Sequence, residues 1–187
     1  MIMIENNMTK QLELFQEYAS YNDYVPFVSE VETFNETFGK PNNYTPVIPR
    51  DEKLLNFVID FIKEETQELE EAIENRDIVE ILDGICDLLY VAIGNATMVF
   101  GLKDRLLAAF EEVQASNMSK TCSSYQVADE TIQARIPEHG PCYTKQVGDV
   151  WIVYRKSDDK VMKSIEYFRP NLKQFFTQEE IEAVKNG

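Results

Sequence analysis

The chain has 187 residues, enough for one ordinary domain with a proper core and too short for two independent domains of typical size. With 33 acidic against 18 basic residues its formal charge is −15, which opposes a polyphosphate backbone and disfavours general nucleic-acid binding. An apolar fraction of 44% with only 7 Gly and 7 Pro excludes a disordered, fibrous or collagen-like chain.

Residues 1–25 read as an N-terminal arm or cap, with a short helix from Thr9 to Tyr18. Phe27, Val28, Val31, Phe34 and Phe38 then recur at three- and four-residue steps and predict a first core helix, stopped by Gly39 and Pro41. Pro41, Asn42, Asn43, Pro46 and Pro49 make the next stretch a loop. From Asp51, suited to an N-cap, Leu54, Phe57, Val58, Phe61, Ile62, Leu69, Ala72 and Ile73 trace one face of a second helix ending near Asn75, with a turn through Arg76 and Asp77. Ile78 to Phe100 is apolar on nearly every side, the pattern of a helix buried in a bundle or between subunits, and Gly101 closes it. Leu106, Leu107, Phe110 and Val113 define a fourth helix from about Lys103 to Asn117.

Beyond Lys120 the pattern changes. Val147, Val150, Ile152, Val153 and Tyr154, the Ser157-Asp158-Asp159 turn, then Val161 and Met162 predict a β-hairpin. A short helix is expected from near Thr177, whose hydroxyl and the Glu180 carboxylate suit a capping box. The expected architecture is all-α, with four core helices within 26–120 and a C-terminal extension, 121–187, holding the hairpin and the last helix.

Cys86, Cys122 and Cys142 are odd in number and lack C-x-x-C spacing, so they read as reduced thiols of a cytoplasmic protein, without zinc or disulfides. MIMIENNMTK lacks the basic and apolar regions of a leader. Leu88 to Leu102 is shorter than the roughly 18 to 20 apolar residues of a membrane helix, and it carries Asn95, so no membrane segment is expected.

The chemistry lies in carboxylates at positions that folding does not call for. On the second helix Glu65 falls within the apolar stripe of Val58, Ile62, Leu69 and Ala72, and Glu68 points nearly the same way; Glu64, Glu70, Glu71 and Glu74 face water. On the third, Glu80, Asp83 and Asp87 share one face of an apolar helix, although Asp is a poor helix former. Packed as an antiparallel pair, the two helices would bring these acids together, and their repulsion asks for protons or a cation. An all-oxygen set suits Mg²⁺, for which Mn²⁺ can substitute. Salt bridges to neighbouring Lys and Arg are the plainer alternative. A ferritin-like di-iron site is disfavoured because the single histidine, His139, lies in the expected Pro137–Pro141 loop. A Ca²⁺-binding loop of the Asp-x-Asp-x-Asp-Gly kind is absent.

Glu64-Glu65-x-x-Glu68 followed by Glu80-x-x-Asp83 resembles the signature of the MazG-like all-α pyrophosphohydrolases, relatives of dimeric dUTPases and of phosphoribosyl-ATP pyrophosphohydrolase. DGICDLLYVAIGNATMVFG from Asp83, FEEVQASNMSK ending at Lys120 and, more loosely, DDKVMKSIEYFRP are similar to the same family. There is one departure. Many relatives carry an acid where this chain has Gly84; Glu80 with Asp83 keeps the motif's spacing, and Asp87 occupies the other version of the final ligand position.

The resemblance implies a MazG-like helical bundle that hydrolyses a nucleoside triphosphate to a monophosphate and pyrophosphate, in cleansing of the nucleotide pool. It implies one to three Mg²⁺ ions on Glu65, Glu68, Glu80, Asp83 and Asp87, with Glu64 or Glu68 orienting the attacking water. Lys120 is a candidate phosphate contact with Asn117 beside it, the plainer roles being a helix-end lysine and a polar C-cap. Phe34, Phe38 and Asn95 are candidates for holding the base, although phenylalanines at such spacing are more often core. The nearly all-apolar third helix points to a homodimer or homotetramer. A non-catalytic acidic helical dimer that binds nucleotide and metal is the alternative, separated by an assay of pyrophosphate release.

Overall fold

The protein's structure, a computed structural model, describes residues 27–186; the expected arm of residues 1–25 with its Thr9–Tyr18 helix lies outside them. The chain divides into two compact units, one ending at Gly101 and the other beginning at Leu102. The described residues are mostly helical, with one two-stranded antiparallel sheet in the second unit, as the sequence predicts.

In the first unit α1 spans Phe27–Thr37, α2 Glu52–Asn75 and α3 Ile78–Leu89; a wider, π-helical segment, Tyr90–Asn95, follows, and then the short α4, Ala96–Phe100. Asp51 caps α2 by accepting hydrogen bonds from Lys53 N at 2.9 Å and Leu54 N at 3.4 Å. Asp77 does the same for α3, from Val79 N at 3.0 Å and Glu80 N at 3.3 Å. Between them Arg76 adopts the left-handed conformation at φ 56°, so two residues reverse the chain and lay α3 antiparallel along α2. The expected single helix from Ile78 to Phe100 is therefore one run whose hydrogen bonding widens at Tyr90–Asn95. There Thr97 Oγ1 donates back to the Ile93 and Gly94 carbonyls, and the Gly94 backbone lies against the buried Val31 side chain of α1.

Gly101 ends α4 at φ 65°; a Cβ there would run into the Thr45 carbonyl. The proline- and asparagine-rich loop satisfies the carbonyls that end this helical run. Asn43 N donates to Met98 O at 2.8 Å, Asn43 Nδ2 to Val99 O at 2.7 Å, and Val47 N to Phe100 O at 3.1 Å. Val31, Val58, Ala72, Val91, Met98 and Val99 are buried. The third helix is less enclosed within one chain than its apolar sequence suggests, since Ile78, Val79 and Leu82 are 75%, 69% and 63% exposed.

In the second unit α5 spans Lys103–Met118, α6 Tyr125–His139, β1 Cys142–Val147, β2 Val150–Arg155 and α7 Gln178–Asn186. Helix α6 was not foreseen, because Val127, Ile132 and Ile136 are sparse among polar residues and Pro137 suggests a break. The helix starts at a Ser124 cap and carries Pro137 in its last turn, so His139 ends a helix instead of lying in a loop. The hairpin exists with different limits. β2 pairs upstream with β1, from Cys142↔Arg155 to Val147↔Val150, around a Gly148-Asp149 turn with Gly148 at φ 58°. The Ser157–Asp159 turn is real but leads only to an isolated bridge, Tyr154↔Val161. α6 and the hairpin enclose a core of Cys122, Ala128, Cys142, Val153 and Met162. The capping box of α7 forms as predicted, with Thr177 N donating to Glu180 Oε2 at 2.8 Å and Glu180 N to Thr177 Oγ1 at 3.1 Å.

Candidate metal and nucleotide site

The tight Arg76-Asp77 reversal fixes which residues of α2 and α3 stand level. At Gly84 the two helices approach closely enough that a Cβ would lie 3.2 Å from both Cα and Cβ of Leu69. Glu65 and Glu68 lie one turn or less before Leu69, and Asp83 and Asp87 flank Gly84 at the same level. A side chain at position 84 would meet the α2 backbone at Leu69, so the glycine suits this close approach of the two helices.

Glu65 is half-buried, and its carboxyl is pushed above the ordinary glutamate range. Desolvation is the largest cause, followed by the charges of Asp87, Glu68, Glu64 and Asp83, so Glu65 titrates in the field of two acids from its own helix and two from the next. Asp87 is half-buried, whereas Glu64, Glu68, Glu80 and Asp83 are exposed. Glu80 stands nearer the reversal and is not among the charges acting on Glu65.

None of these six carboxylates has an ion pair or a side-chain hydrogen bond among the described residues, so the salt-bridge alternative finds no partner there. Nor, among the described residues, do three acid, histidine or cysteine side chains already stand close enough together to hold a metal ion. The donors nevertheless suit a hard divalent cation in kind. They are carboxylate oxygens, unpaired and repelling one another across two adjacent helices, with one of them partly desolvated.

One turn beyond Asp87, at the start of the π-helical segment, Tyr90 begins an aromatic patch. Its ring meets Phe34 edge-on with centroids 5.6 Å apart, and Phe34 lies 4.4 Å from Phe38. Phe34 and Phe38 are 41% and 63% exposed, so they are surface rings here and not the core residues that their spacing suggests. Tyr90 was missed because a tyrosine inside an apolar run gives no signal by itself. Asn95 is half-buried at the end of the π-helical segment. The widened turn rotates the residues after it away from the face that a regular 3.6-residue period assigns.

In the second unit Asn117 is exposed near the end of α5 and accepts a hydrogen bond from Lys120 Nζ at 2.8 Å, while the helix ends on Ser119 instead of being capped by Asn117. Two further residues stand close to this end of α5. Tyr167 has its phenol held below the ordinary tyrosine range by the neighbouring Ser116 hydroxyl, then by the nearby charges of Lys163 and Lys120. Lys163 lies 4.4 Å over the Tyr167 ring. Both belong to the DDKVMKSIEYFRP stretch, whose family likeness was the only signal that could have singled them out.

Among the described residues no helix is long and apolar enough to cross a membrane. The chain is 32% identical over 100 residues to an uncharacterised protein of Acanthamoeba polyphaga mimivirus, an alignment covering 52% of this chain and 39% of that protein, so the chain spans well under two thirds of this relative's length. Residues 31–117, which include both acidic motifs, the aromatic patch and Asn117, match the family model described as phosphoribosyl-ATP pyrophosphohydrolase. With the Glu-Glu-x-x-Glu and Glu-x-x-Asp motifs set on an antiparallel helix pair, this segment is similar to the MazG-like all-α pyrophosphohydrolases to which that family model is related.

Proposed function

We propose that the chain hydrolyses a nucleoside or deoxynucleoside triphosphate between its α- and β-phosphates, releasing a monophosphate and pyrophosphate, and that Mg²⁺ or Mn²⁺ is required. The observation that carries this reading is the state of Glu65, half-buried, its carboxyl raised by desolvation and then by the charges of Asp87, Glu68, Glu64 and Asp83, and without a cationic partner among the described residues. Glu65, Glu68, Asp83 and Asp87 are the proposed ligands, with Glu80 joining from the reversal end. When bound there, the metal supplies charge neutralisation for the triphosphate and acidifies a water molecule.

The remaining roles belong to the chain itself. Glu64 or Glu68 accepts the proton of the attacking water, orienting it towards phosphorus. Phe34 and Phe38, joined by Tyr90, offer exposed ring faces on which a base can stack, and Asn95 offers an amide for its edge. Asn117 and Lys120 bind phosphate oxygens. The exposed stripe of Ile78, Leu82 and Ile85 on α3, with Val79 beside it, supports self-association through this helix, as a homodimer or homotetramer. All three cysteines are free, in keeping with a reducing, cytoplasmic setting for pool cleansing.

The test is release of pyrophosphate by the purified chain from a panel of NTPs and dNTPs with Mg²⁺. Turnover of at least one nucleotide is expected, abolished by EDTA and by E65A or D83A. No turnover with either metal, or turnover unchanged in both variants, overturns the reading.

A further inference from the structure

The negative charge of the chain is unevenly distributed. Residues 102–187 hold 12 of the 18 basic side chains but 13 of the 33 acids, and within 141–173 basic residues outnumber acids by seven to four. Three of those four acids are engaged locally. Asp158 accepts from Arg155 Nε at 2.8 Å, Asp159 from the Tyr143 hydroxyl at 2.7 Å and Glu166 from the Ser123 hydroxyl at 2.8 Å. Lys145, Lys156 and Lys160 have no ion pair among the described residues. The charge of −15 that opposes nucleic acid therefore lies mainly elsewhere in the sequence.

The register of the hairpin sorts its side chains onto two faces. Cys142 and Val153 enter the core with Ala128 of α6. The alternate positions, Tyr143, Lys145 and Val147 of β1 and Val150, Ile152 and Tyr154 of β2, make up the opposite face, and none of them is an acid. Val161, bridged to Tyr154, widens this face. Lys156, whose N–H continues the ladder to Pro141 O at 2.9 Å, follows Tyr154 on the same side. The Tyr143 and Tyr154 rings stack with centroids 5.4 Å apart and planes inclined by 22°. Lys145 Nζ lies over both rings, 5.3 Å from the Tyr143 centroid and 5.7 Å from that of Tyr154. Lys145 and Lys156 are exposed, as are Val147 and Val161.

Aromatic rings stack on any exposed base, and ammonium groups pair with phosphates, so a ring pair flanked by two free lysines suits a polymer that alternates the two. A duplex keeps its base faces inside its own stack, and an acidic peptide offers charge without rings. We propose that this face of the hairpin binds single-stranded nucleic acid. A base takes the place of the Lys145 ammonium over Tyr143 and Tyr154, and Lys145 and Lys156 pair with the flanking phosphates. This binding is independent of nucleotide hydrolysis and uses none of its residues.

The experiment uses the full chain in EDTA at low salt and follows the fluorescence anisotropy of a labelled oligothymidylate, with the matching duplex and polyglutamate as competitors. Wild-type protein binds the single strand, neither competitor displaces it at equal charge, and added salt weakens the complex. K145E, at an exposed position, weakens binding by about tenfold, and K145R keeps most of the affinity. Y143L weakens it by about fivefold with a melting temperature close to wild type, whereas Y143F, which keeps the ring, binds as wild type does. Undetectable binding to wild type, displacement by either competitor at equal charge, or wild-type affinity in K145E overturns the inference. Wild-type affinity in folded Y143L also overturns it, since the face would then be a basic patch without stacking. Should Y143L fold poorly, K145E and the polyglutamate competition still decide the matter.

Discussion

Gly84 of α3 faces Leu69 of α2 so closely that a Cβ at position 84 would lie 3.2 Å from the Leu69 Cα. The site's acids are displayed on either side of this contact. G84A sets a helix-propensity gain of roughly 0.5–1 kcal/mol against mild crowding and should change stability by less than about 1 kcal/mol. G84E must place a charged side chain against the α2 backbone and should lose about 1–3 kcal/mol. Urea denaturation of both variants checks this; a G84E midpoint at or above wild type would show that the helices separate easily.

Gly94 presents a harsher case, because a Cβ there would overlap the side chain of Val31, which is 1% exposed. G94A should destabilise the chain by about 1–3 kcal/mol, the usual penalty for overpacking. The double variant V31A/G94A should lose less than the sum of the two single changes, because each relieves the other's defect. Strict additivity in the denaturation cycle would refute the contact.

Glu65 makes a signed pH prediction. Its pKa is raised in the folded state by desolvation first and then by the surrounding acids, so folding favours the protonated form. The stability it contributes is present below the ordinary glutamate pKa of about 4.3 and is lost as pH rises through the higher folded value. E65Q without divalent metal should therefore be more stable than wild type at pH 7, and the difference should disappear below about pH 4. Added Mg²⁺ should raise the wild-type midpoint more than that of E65Q. A destabilised E65Q at pH 7 without metal would contradict the sign.

Asp87 and Glu80 are distinguishable by their coupling to Glu65, since Asp87 acts on it and Glu80 does not. D87N should move the Glu65 titration back towards the ordinary range, as read by carboxyl NMR, while E80Q leaves it in place. If Asp87 is the final ligand, D87N should reduce pyrophosphate release by on the order of 100-fold, the scale of losing one charge-stabilising group. The opposite ranking would assign that position to Glu80 and Asp83.

The Thr177–Glu180 capping box should be measurable at α7. T177A removes the acceptor of Glu180 N and should destabilise this helix by about 1 kcal/mol. Amide exchange should accelerate in residues 178–186 and remain unchanged in α2. Unchanged exchange in α7 would mean that the Arg105–Glu180 ion pair, at 2.6 Å, holds the helix without its cap.

The helices of residues 27–118 were legible because burying one face imposes a 3.6-residue period, and because Asp51, Asp77 and Gly101 stand where backbone groups at helix ends need partners. Glu65 and Asp87 were legible for the converse reason, as charges at positions the period assigns to apolar groups. Helix α6 and strand β1 were not, since their apolar residues are too sparse to set a period and they are held by the core they share with β2.

What the sequence determined alone is the type and order of most helices and the presence of acids on two facing stripes. Only the tertiary structure decided which acids act on Glu65, because that follows from the two-residue reversal and the Gly84–Leu69 contact. It also decided that Phe34 and Phe38 are surface rings and that Lys163 lies over the Tyr167 ring. Local pattern records which face of an element must be buried; distances between residues far apart in the chain are set only when those faces pack.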